Sequence, residues 1–292
     1  MVEYIKKHPI IMIGIGVIGI SLSSIFVKLS SAPSGVTAAY RLLWTVLLMT
    51  PSVLLKKETR RELGSISWRV FGISALSGVF LAIHFVLWFE SLAHTSVASS
   101  TTLVCTEVIW VSLGYCIFLK GKLSVKAVIT IACAFLGSAV IAVSDSSSGR
   151  HLYGDVLSLL SAVAVAVYML LGNVVRKNTS TTVYTYVVYV SCAVCLVFFC
   201  GVTHTSLTGY GGISVVVGLL LAIFSTILGH SIFSWCLKYF SPSFVSASKL
   251  LEPVVAALIA IPVFAEYPKP LTILGGVVII LSVWYYSRIE KA

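Results

Sequence analysis

Ionisable residues of this chain stand in stretches otherwise suited to lipid, three of them in matching segments of its two halves. Lys249 and Glu252 lie three apart in Ser248-Lys249-Leu250-Leu251-Glu252-Pro253, inside an apolar run from roughly 242 to 265, and Glu107 lies in a comparable run. Positions three apart share a helix face, so Lys249 and Glu252 are spaced to neutralise one another. Pro253 has no N–H for the carbonyl of Lys249, which leaves that oxygen open to water, an ion or a ligand. Each charge would cost about 3 kcal/mol at a bilayer centre, and intramembrane ionisable groups read first as a functional site. A lysine beside a carboxylate suits a zwitterionic or amphipathic solute, and a buried carboxyl or histidine can carry a coupled proton.

Other polar residues extend this candidate substrate site. Arg41, one turn into the second apolar run, can bind a carboxylate, snorkel, or pair with Glu90 or another helix. Trp110 is one turn from Glu107 and on its face, so the two together would suit a cationic or aromatic ligand. Ser248, Trp88 and Tyr168 complete the expected lining, Trp88 with interfacial anchoring as its alternative. His84 and His230 occupy nearly matching places in the two halves, one residue out of step. Their depths place one toward each mouth, as gates or proton relays, with hydrogen-bonded core histidines as the plainer reading. For catalysis the sequence offers nothing: no GxSxG, Walker loop or HExxH is present. Cys192 and Cys195 form a CxxC with no second pair or nearby histidine. No enzyme activity, cofactor or metal site is expected.

Composition decides what must hold these residues. The chain is 58% hydrophobic and 10% charged, where soluble domains run near 25% charged, and its mean hydropathy is +1.03. This is an integral membrane protein. Ten apolar runs approach the roughly 20 residues of a spanning helix, at about 9–29, 34–55, 69–91, 96–119, 124–144, 153–174, 181–202, 213–237, 242–265 and 269–288. The first is kept as a span and not as a signal sequence, since nine more follow and its counterpart recurs in the second half. Gly14-x-Gly16-x-x-Gly19 inside it lacks the strand a dinucleotide fingerprint needs, so close helix packing is the expectation. Of 20 basic residues, 15 fall on the side of the N-terminus, 3 on the other and 2 within spans. The net charge of +10 therefore reflects loops on one side of a membrane, not nucleic-acid binding. Both termini are expected in the cytoplasm.

The halves resemble each other. Leu92 to Glu107 aligns without a gap on Leu237 to Glu252, pairing Ser96 with Ser241 and the two glutamates, and the alignment continues to Gly121 and Glu266. Five spans per half is an odd number, so the second copy enters from the opposite face. Such inverted repeats place a solute site near the midplane between them. At 1.5 Å per residue, Glu107 and Glu252 both fall near the middle of a roughly 30 Å core.

Trp88-Phe89-Glu90-Ser91-Leu92 through Glu107 to Leu119, and Leu228-Gly229-His230 through Trp235 to Glu252-Pro253, resemble the repeat cores of the drug/metabolite transporter superfamily, in its ten-helix EamA-type branch. The resemblance covers nearly the whole chain as two repeats, at 9–144 and 153–288. It implies helices one, three, four, six, eight and nine around a central cavity, with five and ten to the side. It also implies transport of amino acids, amines, nucleobases, sugars or drugs, most often outward. Two departures stand out: Lys249, where an apolar or small residue is usual, and Val108 after Glu107, where proline is frequent. The expected protein is an all-α membrane carrier, a monomer or weak homodimer, whose partners are membrane lipid and a small-molecule substrate. An amino acid or related compound is the first choice, and a cationic amine, nucleobase or drug the alternative. A membrane sensor or enzyme without flux is the reading from another class.

Overall fold

The computed structural model describes residues 9–95, 97–145, 152–264 and 269–291. Lys6, Lys7, Ser96, Arg150 and Glu266, used in the charge count and the repeat alignment, lie outside them. Every regular element among the described residues is helical. In chain order these are α1 (Pro9–Lys28), α2 (Ser34–Leu55), α3 (Lys57–Ser65), α4 (Trp68–His94), α5 (Val97–Val104), α6 (Glu107–Phe118), α7 (Val125–Asp145), α8 (Leu152–Arg176), α9 (Thr181–Val202), α10 (Gly211–Cys236), α11 (Pro242–Ser248), α12 (Glu252–Phe264) and α13 (Pro270–Lys291). The pairs α5–α6 and α11–α12 are single segments, each interrupted by a tight turn. Counting them so, and setting aside the exposed basic helix α3, ten apolar segments remain among the described residues. Eight are long and apolar enough to cross a membrane, and Val125–Ile141 of α7 is a shorter apolar helix.

The surface is the inverse of a soluble protein's. Large apolar side chains face outward on most segments, among them Ile117 at 66%, Phe198 at 71% and Ile213 at 71% exposed, while Ser21, Ser77, Ser161, Ser225 and Thr226 are fully buried. Helices in lipid gain little from burying leucine and associate instead through small and polar contacts. Ser77 shows the pattern, donating to the Tyr168 carbonyl at 3.2 Å and sharing a 2.8 Å hydrogen bond with Tyr184. Trp68, 87% exposed and edge-on to Phe71, sits where an interfacial anchor belongs.

First-half segments pack chiefly on second-half segments: α4 on α8, α1 on α10, α2 on α9, α6 on α11 and α7 on α13. This set is unchanged when the halves are exchanged. The α1–α10 contact maps onto the α4–α8 contact, α2–α9 and α7–α13 map onto themselves, and α6–α11 maps onto α5–α12, a contact of the same two segments. The chain is thus an all-α integral membrane protein of ten transmembrane segments, built as two inverted five-helix repeats.

Among the close approaches that depend on glycine are two that join the halves. A Cβ on Gly275 would lie 2.6 Å from the Gly137 carbonyl oxygen, and one on Gly19 would lie 2.6 Å from that of Phe224. Gly19 belongs to the glycine triplet of the first span, and its role is this contact with α10. Gly19→Ala is expected to destabilise the fold by about 1–3 kcal/mol through overpacking. Gly14→Ala, with nothing within 4 Å of the added methyl, should cost nothing. Thermal unfolding of both variants in detergent checks the contrast.

Candidate functional site

The site is built on matching helix breaks. In the second half, Pro253 supplies no N–H to Lys249, and the chain responds by tightening: Lys249–Leu251 forms a 3-10 turn, and the Glu252 N–H bonds the Lys249 carbonyl. That carbonyl is therefore not left open, as proline alone suggested. The first half makes the same break without proline. Thr106 N–H reaches the Leu103 carbonyl at 3.1 Å, Ile109 N–H reaches that of Thr106 at 2.9 Å, and the Thr106 hydroxyl also donates to Leu103 at 2.7 Å. By the repeat alignment the two turns coincide, and each ends on its glutamate. A third irregularity lies in α10, where Leu221–His230 is π-helical, a form that gathers at functional sites.

Lys249 pairs across the repeats. Its ammonium lies 2.9 Å from Glu107 Oε1 and 3.2 Å from Oε2, with both side chains under a tenth exposed. Ser246 donates to Glu107 Oε1 at 3.0 Å, and Met169 Sδ sits 3.5 Å from the Lys249 nitrogen. The expected Lys249–Glu252 pair is not formed. The spacing permits it, but Glu107 offers two oxygens already oriented by Ser246. Glu252 has no hydrogen bond or ion pair from its carboxylate among the described residues.

Arg41 is buried at 1% exposure. Its Nε donates to Thr226 Oγ1 at 2.7 Å and its Nη1 to Ser23 Oγ at 3.3 Å, and its guanidinium lies 4.1 Å from the Phe85 ring centroid. Glu90 is not its partner; that carboxylate pairs with His94 at 3.5 Å near the surface. His84 Nδ1 and the Ser161 hydroxyl share a 2.8 Å hydrogen bond, and the His84 ring stacks on Trp88 at 14° and 5.9 Å. The His84 and His230 rings are 6.3 Å apart, so they share one site and do not guard opposite mouths. Both lie within two turns of the middle of long segments, and the π-helical stretch shortens the rise to His230.

These groups surround a cavity of ≈ 40 Å³, room for about three waters. Each helix the resemblance implied contributes: Ile20 and Ser23 from the first, His84 and Trp88 from the third, and Val104, Cys105 and Glu107 from the fourth. Val165 comes from the sixth, His230 from the eighth, and Lys249 and Glu252 from the ninth. The second span adds Arg41. Of the expected residues, Glu107, Lys249, Glu252, Trp88, Arg41, His84 and His230 line the cavity. Tyr168 stands just behind, beside His230 and hydrogen-bonded to Ser234 at 2.9 Å. Ser248 turns away to the Phe244 carbonyl, 2.8 Å distant. Trp110 is 42% exposed on the outer surface. The buried stripe of α6 runs through Glu107, Val108, Val111 and Gly114, and Trp110 falls off its edge. Sequence reasoning missed Ser23, Cys105, Ser246 and Thr226. A serine or cysteine in an apolar helix carries little signal until its helix neighbours are known.

Among the described residues no group of three His, Cys, Asp or Glu could hold a metal ion. Inverted repeats, paired helix breaks and a charged cavity between them define a multi-pass membrane transporter. The EamA-like transporter family matches twice, at residues 7–143 and 152–288, and the chain belongs to that family. Two proteins of Archaeoglobus fulgidus (strain ATCC 49558 / DSM 4304 / JCM 9628 / NBRC 100126 / VC-16), each described as an uncharacterized transporter, are similar. One is 25% identical over 85% of both chains, the other 28% identical over 75% of both. An uncharacterized transporter of Clostridium kluyveri is 23% identical over 89% of this chain and 88% of its own. A crystallised protein with 13% identity shares the fold at a TM-score of 0.79, over 98% of both chains. Family and relatives are transporters, not enzymes.

Proposed function

We propose that the chain is a secondary active transporter that moves a small amphipathic metabolite, an amino acid or related compound, out across the cytoplasmic membrane by alternating access. The observation carrying this reading is the cross-repeat ion pair of Lys249 and Glu107, set with Arg41 and Glu252 around one cavity at the junction of the halves. Arg41 and Glu252, the cation and carboxylate left beside that bridging pair, serve a solute with both charged and apolar parts better than they serve stability, since buried charges add little to it. In this reading the halves rock apart to admit the solute to the cavity and to release it. The ion pair bridging them is a contact of the closed state. Binding energy would then shift the balance of inward and outward forms. Glu252, whose carboxylate has no ion pair among the described residues, is the carboxyl available to carry a coupled proton. The excess of basic residues on one side supports cytoplasmic termini, and 9–144 and 153–288 would act as the rocking repeats, in a monomer or weak homodimer.

A second reading, transport of cationic amines, nucleobases or drugs, draws on one observation: the stacked His84 and Trp88 rings give the cavity an aromatic wall. In proteoliposomes loaded with unlabelled amino acids, the expected result is saturable uptake of the labelled compound by counterflow. Its absence for every amino acid, amine and nucleobase offered would leave a sensor or enzyme as the better reading.

A further inference from the structure

Building on the cavity as a solute site, we infer that its ligand carries both a free carboxylate and a cationic amine. Arg41 and Trp88 hold the carboxylate, and Glu252 holds the amine. The Lys249–Glu107 pair is a strut between the halves and not a ligand group.

The assignment follows from counting partners around the cavity wall. Lys249 already engages both oxygens of Glu107 and approaches Met169, and Glu107 also accepts from Ser246. His84 is met by Ser161. Among the described residues, two that line the cavity are left with buried donors that have no partner, Arg41 through Nη2 and Trp88 through Nε1. Arg41 is 1% and Trp88 5% exposed. A buried donor without an acceptor is costly, and a charged one more so. Lining the same cavity, Glu252 has a carboxylate without a hydrogen bond or ion pair among the described residues. Two orphan donors, one on a permanent cation, specify an anionic group; an orphan carboxylate specifies a cationic one.

Geometry favours a carboxylate at the first pole. The guanidinium is planar and matches the two oxygens of a carboxylate. Here it is fixed before any ligand arrives, by Thr226, Ser23 and the Phe85 ring. Such preorganisation reduces the entropic cost of binding. Trp88 is held by its stack on His84, so its N–H is likewise set. An amine lacking the carboxylate would leave both donors unanswered, and a nucleobase would offer Arg41 no counter-charge.

The experiment uses the purified full chain in nanodiscs and isothermal titration. Each standard amino acid is titrated first. The tightest binder is then compared with its decarboxylated amine, its carboxamide and its deaminated acid. Loss of either charged group is expected to weaken binding by about ten-fold or more, the range for a hydrogen bond to a charged partner. Trp88→Phe should lower the ratio of zwitterion to amine affinity, and Glu252→Gln the ratio of zwitterion to deaminated acid. An amine that binds as tightly as its parent amino acid overturns the inference, as does a panel in which no amino acid binds. The comparison of ligands on the unaltered protein decides the matter even if a variant misfolds. Counterflow separates this from the transport reading. A carboxylate-free solute that is carried contradicts the pole assignment alone, whereas a zwitterion that binds but is never carried contradicts transport alone.

Discussion

Lys249→Met is expected to lower the stability of the fold by about 3 kcal/mol or more, because it strands the Glu107 carboxylate in a buried setting. Glu107→Met should cost a similar amount by stranding the ammonium. The double variant should lose much less than the sum, since two buried charges are replaced together by apolar groups. A double-mutant cycle on denaturant unfolding in detergent measures the coupling directly. It also separates the two pairings open to Lys249. Strong coupling is expected with Glu107, which is 2.9 Å away, and weaker coupling with Glu252, whose carboxylate has no ion pair among the described residues. The reverse result would restore the local pair that the three-residue spacing suggested.

Glu252→Gln is expected to abolish uptake driven by a pH gradient, down to the level of protein-free liposomes, while counterflow at saturating solute persists. Glutamine keeps the shape of the side chain and removes its charge and its ability to exchange a proton, so the solute is held at saturation to offset weaker binding of its amine. Among the cavity carboxyls, Glu252 can take a proton without breaking a bridge. Protonating Glu107 would remove the charge that pairs with Lys249. The sign is therefore specific: Glu252→Gln uncouples and leaves the fold intact, whereas Glu107→Gln destabilises it. Flux and unfolding measured on the same preparations distinguish the two. A Glu252→Gln protein that still concentrates solute along a pH gradient would remove this carboxyl from coupling.

The ten segments were legible because each is a long apolar run, and burial in lipid leaves the backbone few alternatives to helix. The repeat alignment brought Glu107 and Glu252 to one depth, and the structure sets both at the cavity. What failed were statements about lateral facing. Helical spacing alone puts Trp110 beside Glu107, but α6 packs on α8 and α11, and the stripe that meets them excludes it. Lys249 had a partner within reach in sequence, yet Glu107, 142 positions away, is better held. His84 and His230 were read by depth along separate helices, while the two-fold packing brought their rings to 6.3 Å. Each error concerns which side of a helix meets which neighbour, and hydropathy in an all-apolar span carries little of that information. Pro253 carried more than was taken from it. A missing N–H foretells a broken hydrogen bond, and the chain answered with a 3-10 turn that rejoined the carbonyl to Glu252.

Alternating access around this cavity has a built-in reporter. Cys105 lines the space beside Glu107 and is a free thiol. With the other six cysteines replaced by serine or alanine, a membrane-impermeant maleimide can be applied to right-side-out and to inside-out vesicles. The account predicts that Cys105 is modified from either face, and that a bound solute slows both reactions. Modification from only one face under every condition, with solute and without, would contradict it.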